Sequence, residues 1–209
     1  MRFSKYRLPV LLVFCCLVFS NFAYGKSDAD FSNGGGTLSG ATTGLALTSS
    51  RLISVTGYPG VGSVSGNLGS VSFTTDALTG GSLQMGGTFA AGGTFTIVGS
   101  GTARLAKGVL FSGSFSGPVS WTVTTLANGT HNYTLTGVVT GTMGGVSVNG
   151  VSVQLTVNTG KGLFNGTTKV SGGDTTVTPS VPEPSTMAMF GIGALGLVGL
   201  LRRRALARI

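Results

Sequence analysis

The chain has 209 residues, room for one ordinary domain with extra segments, and a formal net charge of +8. Seven of its thirteen basic residues crowd the two ends: Arg2, Lys5 and Arg7 at one, Arg202, Arg203, Arg204 and Arg208 at the other. With Glu183 set aside, six basic residues between them face only four acids and form no stripe, which excludes a nucleic-acid partner.

Residues 1–25 have the three parts of a secretory signal. Arg2, Lys5 and Arg7 form the basic part, and Leu8 to Phe19 the apolar part, too short and too closely flanked for a good spanning helix. Ala23 and Gly25 put small residues at the two positions that signal peptidase reads, so cleavage is expected before Lys26. Cys15 and Cys16 lie inside the apolar part, and Phe14 and Cys15 stand where a lipidated cysteine needs a small residue before it. Once the signal is removed the chain has no cysteine, hence no disulfide framework and no thiol chemistry.

Residues 26–177 form the expected extracytoplasmic domain. Their pattern is alternation. Val71 and Phe73 alternate with Ser72 and Thr74, and Phe95 and Ile97 with Thr94 and Thr96. Val119, Trp121 and Val123 alternate with Ser120, Thr122 and Thr124, and Tyr133 and Leu135 with Thr134 and Thr136. Val151, Val153, Leu155 and Val157 do the same among Ser152, Gln154, Thr156 and Asn158. Period two predicts strands with one apolar and one hydroxyl-rich face. Turn signals recur at Gly34-Gly35-Gly36, Pro59-Gly60, Gly80-Gly81, Gly92-Gly93, Asn128-Gly129, Gly144-Gly145, Asn149-Gly150, Asn165-Gly166 and Gly172-Gly173. Asn149-Gly150 inside Val146 to Val157 suggests a hairpin with unequal arms. The expected fold is all-β, an antiparallel β-sandwich or barrel with short Gly-rich turns, flanked by an N-terminal signal helix and a C-terminal transmembrane helix. A β-solenoid is the alternative, although repeated phrases such as Gly-Gly-Thr-Phe at 86–89 and 92–95 keep no steady period.

The domain is poor in reactive groups. It has one His, four Asp and no Glu, where acid–base catalysis needs paired titratable groups. His131 follows the Asn128-Gly129 turn and reads as a loop residue. No metal-ligand spacing appears, and Asp174 reads as a turn residue. The expectation is therefore no catalytic residue, no metal and no cofactor; Asp76 and Asp174 are the carboxylates on which a hydrolase would have to rest. Tyr58, Trp121 and Tyr133 are the rings able to stack on a sugar, with Trp121 in register for the core and Tyr58 beside a loop. Asn128, Asn132 and Asn165 begin Asn-x-Thr sequons.

Residues 178–186 form a linker with the motif Val181-Pro182-Glu183-Pro184-Ser185, and residues 187–209 the expected transmembrane helix and basic tail. Pro182 and Pro184 favour extended backbone at Val181 and Glu183. Ser185 to Leu201 carries no charge; its seventeen residues would reach roughly 25 Å as a helix, near the lower limit for spanning. Arg202, Arg203 and Arg204 then fix that end in the cytoplasm, in agreement with a signal that sends the domain outside.

In order, spacing and content, Val181 to Arg204 resembles the PEP-CTERM sorting signal. The resemblance implies processing by an exosortase, a membrane enzyme with a cysteine nucleophile, and removal of the helix. It also implies a Gram-negative bacterium that makes extracellular polysaccharide. The partners expected are signal peptidase and the secretion machinery, an exosortase, the membrane before processing, and exopolysaccharide. The chain reads as an exported, non-catalytic surface or matrix protein, anchored transiently in the inner membrane and then at the cell surface or outside it. A carbohydrate-binding module is the alternative.

Overall fold

Alternating Val, Phe and Thr become strands throughout Asp28 to Val177, the residues described by the computed structural model. Ala23 and Gly25, the stretch Val181 to Ser185, the apolar run and Arg202 to Arg204 lie outside the described residues. The strands are β1 (Ala29–Gly34), β2 (Thr37–Ala41), β3 (Gly44–Tyr58), β4 (Gly62–Thr74), β5 (Leu78–Ser82) and β6 (Gly86–Phe89). They continue as β7 (Gly92–Ser100), β8 (Lys107–Phe115), β9 (Val119–Thr125), β10 (His131–Met143), β11 (Val146–Asn158), β12 (Thr167–Lys169) and β13 (Gly172–Val177).

Eight of them close a ring: β1, β3, β4, β7, β8, β10, β11 and β13, which pairs back onto β1. The closing ladder sets Ala29 opposite Val177 and Phe31 opposite Thr175. Every pairing is antiparallel, so a solenoid coil is ruled out and the open choice between sandwich and barrel resolves to a barrel. With β2, β5, β6, β9 and β12 set aside, each barrel strand pairs with the next in the chain, an up-and-down order. All five extra strands then fall on connections at the same end. β2 joins β1 to β3, β5 and β6 join β4 to β7, β9 joins β8 to β10, and β12 joins β11 to β13. We call this the insertion end. The opposite end, the turn end, holds the short links β3–β4, β7–β8 and β10–β11, and the paired strand ends Ala29 and Val177.

An eight-stranded barrel is just wide enough for side chains to fill it. Here they do. Phe73, Phe95, Phe111 and Phe115 are all buried, with ring centroids about 6 Å apart in stacked and edge-on pairs. Val71, Ile97, Leu135, Val139, Val151 and Leu155 surround them, each from the apolar phase of its strand. The other phase is Ser and Thr. Ser72, Thr96, Ser112, Thr142 and Ser147 run in one row across β4, β7, β8, β10 and β11.

Four glycine signals have another use than turns, and one of them, Gly92-Gly93, opens β7 at a bulge opposite β8. Gly80-Gly81 lies within β5 and Gly172-Gly173 within β13. A Cβ on Gly173 would fall 2.5 Å from Asn33 Oδ1 and 2.8 Å from Leu155 Cδ1, so this position is small because β13 sits tightly between its neighbours. Asn149-Gly150 is not a hairpin turn. Val139 pairs with Val151 but Gly141 with Val148, so both residues bulge opposite Thr140 alone, with Gly150 at a φ of 74°. The hairpin turns at Gly144-Gly145, both at positive φ, as a two-residue type I′ turn demands.

Candidate functional site

The aromatic residues that qualified as sugar contacts do not form a surface platform. Trp121 and Tyr133 project inward at the insertion end, 1% and 0% exposed. Their rings stack at 5.0 Å with a 19° interplanar angle, and Phe164 packs edge-on to Trp121 at 5.5 Å. Trp121 Nε1–H donates to the Leu83 carbonyl at 2.9 Å, and the Tyr133 hydroxyl donates to the Gln84 carbonyl at 2.6 Å. That hydroxyl also accepts from the Phe164 N–H at 3.1 Å. Both polar atoms are thus spent on the backbone of connecting segments, and neither ring meets solvent. Tyr58 is half-buried at the turn end, edge-on to Phe31 with centroids 6.0 Å apart.

Closure creates a constellation that strand reading missed. On the outer face Ser32 of β1 lies opposite Asp174 of β13, which lies opposite Gln154 of β11. Asp30 is two residues before Ser32 on the same face. These residues and Thr156 line a shallow groove of about 400 Å³. The Ser32 hydroxyl donates to Asp174 Oδ1 at 3.2 Å, and Thr176 Oγ1 donates to Asp30 Oδ1 at 3.1 Å. Burial raises the Asp30 carboxyl above the usual carboxylate range. The negative charge of Asp174 adds to the rise, and the Thr176 hydrogen bond opposes it. Asp30 and Asp174 belong to the first and last described strands, so only the closing ladder could have revealed their meeting.

The sign of a stability effect follows. A carboxyl whose folded pKa is raised costs the fold stability when ionised, and that cost appears as pH rises through the folded value. Asp30→Asn keeps an acceptor for Thr176 and removes the charge beside Asp174. It is expected to stabilise the barrel at pH 7 by less than about 1 kcal/mol, because the site is largely solvated. The advantage should vanish below the ordinary Asp range. Urea unfolding of both proteins across pH 3–7 checks this; a variant less stable at pH 7 contradicts it.

The remaining candidates stay apart. Asp76 is exposed in the β4–β5 link, away from the other acids in the strand order. His131 opens β10, its Nδ1 3.0 Å from Thr125 Oγ1. Among the described residues no group of three or more His, Cys, Asp or Glu is placed to hold a metal. Asn128 Oδ1 accepts from Thr130 N–H and Oγ1–H, closing its own turn, while Asn132 Oδ1 accepts from Asn158. Asn165 is exposed ahead of β12. Among the described residues no helix is long and apolar enough to cross a membrane.

Residues 180–204 match the family model of the PEP-CTERM protein-sorting motif. The match contains Val181 to Ser185, the apolar run and Arg202 to Arg204, and it marks an exported protein processed by an exosortase. No curated protein and no solved structure matches the chain.

Proposed function

We propose that the protein is a non-catalytic structural component of the cell surface or extracellular matrix, delivered there by its sorting segment. Residues 1–25 are removed on export. The apolar run Met187 to Leu201 then holds the chain in the inner membrane, with Arg202 to Arg204 on the cytoplasmic side, until an exosortase acts near Pro182-Glu183-Pro184. The observation that carries the reading is the order of parts: a filled, closed barrel followed within a few residues by the sorting motif. Among the described residues the barrel interior is packed with its own core side chains, and its outward Ser and Thr rows offer a hydrated, weakly charged surface suited to polysaccharide surroundings.

Intact-mass spectrometry of the native surface protein tests the delivery. The mature mass is expected to lack both residues 1–25 and Arg202 to Arg204; a mass that retains the arginines refutes processing. Non-catalytic character is tested in a deletion strain. Asp30→Asn/Asp174→Asn, which removes the paired carboxylates, should be retained in the matrix and restore it as fully as the unaltered chain does.

A further inference from the structure

We infer that copies of this chain assemble side by side, the basic β7–β8 link of one seated in the Asp30–Asp174 groove of the next. The inference deepens the structural role proposed above and rests on it for its purpose. It starts from where the few charges fall. The described residues carry five basic side chains and four acids. Lys161, Lys169 and Asp76 belong to the insertion end. The rest are segregated by sign. Asp28, Asp30 and Asp174 lie on or next to β1 and β13, whereas Arg51, Arg104 and Lys107 lie on β3, the β7–β8 link and β8. In the ring β13 and β7, like β1 and β8, stand four strands apart in either direction. The groove and the basic link are therefore on opposite walls. Both are near the turn end, since Asp30 adjoins Ala29 and the link is one of that end's connections.

Both halves of the contact are preformed. Leu105 N–H donates to the Thr102 carbonyl at 3.0 Å, around Ala103 and Arg104 at φ of 54° and 67°, so Arg104 stands at the apex of a tight turn. Buried Leu105 roots that turn in the core, and the Thr102 hydroxyl ties it to the Asn67 carbonyl at 3.2 Å. Arg104 and Lys107 are exposed, and no acid lies on β7, β8 or their link to engage them. A turn held this firmly loses little freedom on docking. The groove is open because Gly172, paired with Thr156 on the outer face, has no side chain to fill it; a Cβ there would meet nothing nearer than the Asn33 carbonyl oxygen at 3.9 Å. Asp30 and Asp174 each accept one wall hydroxyl at Oδ1. A guanidinium set over the pair adds charge-assisted hydrogen bonds. It also offsets the burial and the carboxylate repulsion that raise Asp30.

Charge complementarity names the occupant: the chain carries on one wall the basic turn that the other wall lacks. A contact between opposite walls is heterologous. It leaves a free groove at one end and a free turn at the other, so copies extend a row instead of closing a dimer. Two charge pairs over a small area make each contact weak compared with a standard interface. Delivery of many chains to one surface compensates through local concentration.

The test is sedimentation velocity on the chain isolated from the deletion strain complemented with each variant. Nonionic detergent throughout treats processed and unprocessed forms alike. In low salt the parent is expected to grow past a dimer as its concentration rises. It should return to single copies in about 1 M salt, where the screening length is about 3 Å. Arg104→Glu/Lys107→Glu and, separately, Asp30→Lys/Asp174→Lys should each weaken association by about a hundredfold, because like charges then meet. Mixed together, these two variants should assemble again, since each supplies the charge that the other lost; misfolded variants would not. Gly172→Val puts a side chain into the groove at an unstrained φ and should weaken assembly with no change of charge. Asp30→Asn/Asp174→Asn keeps an acceptor for each donor, a weaker contact that a crowded matrix still sustains, so reversal of charge is the decisive change. A parent that stays single, a parent that stops at a dimer, or variants that fail to restore each other overturn the inference. Rows that form normally, beside a matrix that is complete in the deletion strain, refute the structural role instead.

Discussion

Trp121→Ala is expected to destabilise the barrel by about 3–5 kcal/mol, a large share of the roughly 5–15 kcal/mol that holds an ordinary domain together. The ring is 1% exposed and lies between Tyr133 and Phe164. Its removal leaves a cavity that rigid strands cannot collapse to fill, because β9 is held between β6 and β10. It also deprives the Leu83 carbonyl of its donor. The effect should spread to the insertion end as a whole. Tyr133 binds the Gln84 carbonyl and the Phe164 N–H, so the aromatic pair ties the β5–β6 link, β9, β10 and the segment before β12 to one point. Tyr133→Phe keeps the ring and loses only these two hydrogen bonds, for which about 1–3 kcal/mol is expected. The double variant should cost less than the sum of the singles, since both act on one cluster. Urea unfolding measures all three; a Trp121→Ala variant within about 1 kcal/mol of the parent would show that the Trp121–Tyr133–Phe164 cluster contributes little.

Much of the barrel wall was legible because its signal is local. Val71, Phe73, Phe95, Ile97 and Leu135 alternate with Ser and Thr, and the phase of each run names its buried side correctly. Trp121 fell in the apolar phase and is in the core for that reason. Glycine was harder to read. A Gly-Gly pair marks a turn, a bulge or a strand pressed against its neighbour equally well, and only the partner strand distinguishes Gly144-Gly145 from Asn149-Gly150 and Gly172-Gly173. Closure was not legible at all. The ladder between β1 and β13 joins residues 140 to 148 positions apart, and nothing in either hexapeptide names the other. Barrel, sandwich and the Asp30–Asp174 groove therefore remained undecidable or unseen from alternation alone. Phe164 was missed because it lies outside any alternating run, in a segment whose place is set by the Tyr133 hydroxyl. The sorting segment was legible for the opposite reason: motif, apolar run and arginines are contiguous and need no partner strand.

A chain ended after Ser171 is expected not to fold, whereas one ended at Ser180 should give the intact barrel. The difference is β13. It supplies buried Thr175 and Val177 to the core and pairs with β1 on one side and β11 on the other. Without it both neighbours become open edges, each a row of unpaired N–H and C=O groups ready to recruit another chain. Loss of the six residues Gly172–Val177 also leaves Phe31 and Leu155 partly facing water. Size-exclusion chromatography and far-ultraviolet circular dichroism of the two truncations, with residues 1–25 removed from both, distinguish a monomeric β protein from an aggregate; a folded monomer ending at Ser171 would refute the argument. The consequence reaches the sorting step. Val177 is 0% exposed and Pro182 follows five residues later, so a cut at the motif spares the closing strand, and a cut only slightly further upstream would open the barrel. Folding before processing protects against this, since a strand held on both sides presents no extended backbone to a protease. The fold thus withholds the closing strand up to Val177, and the motif begins in sequence only four residues beyond it.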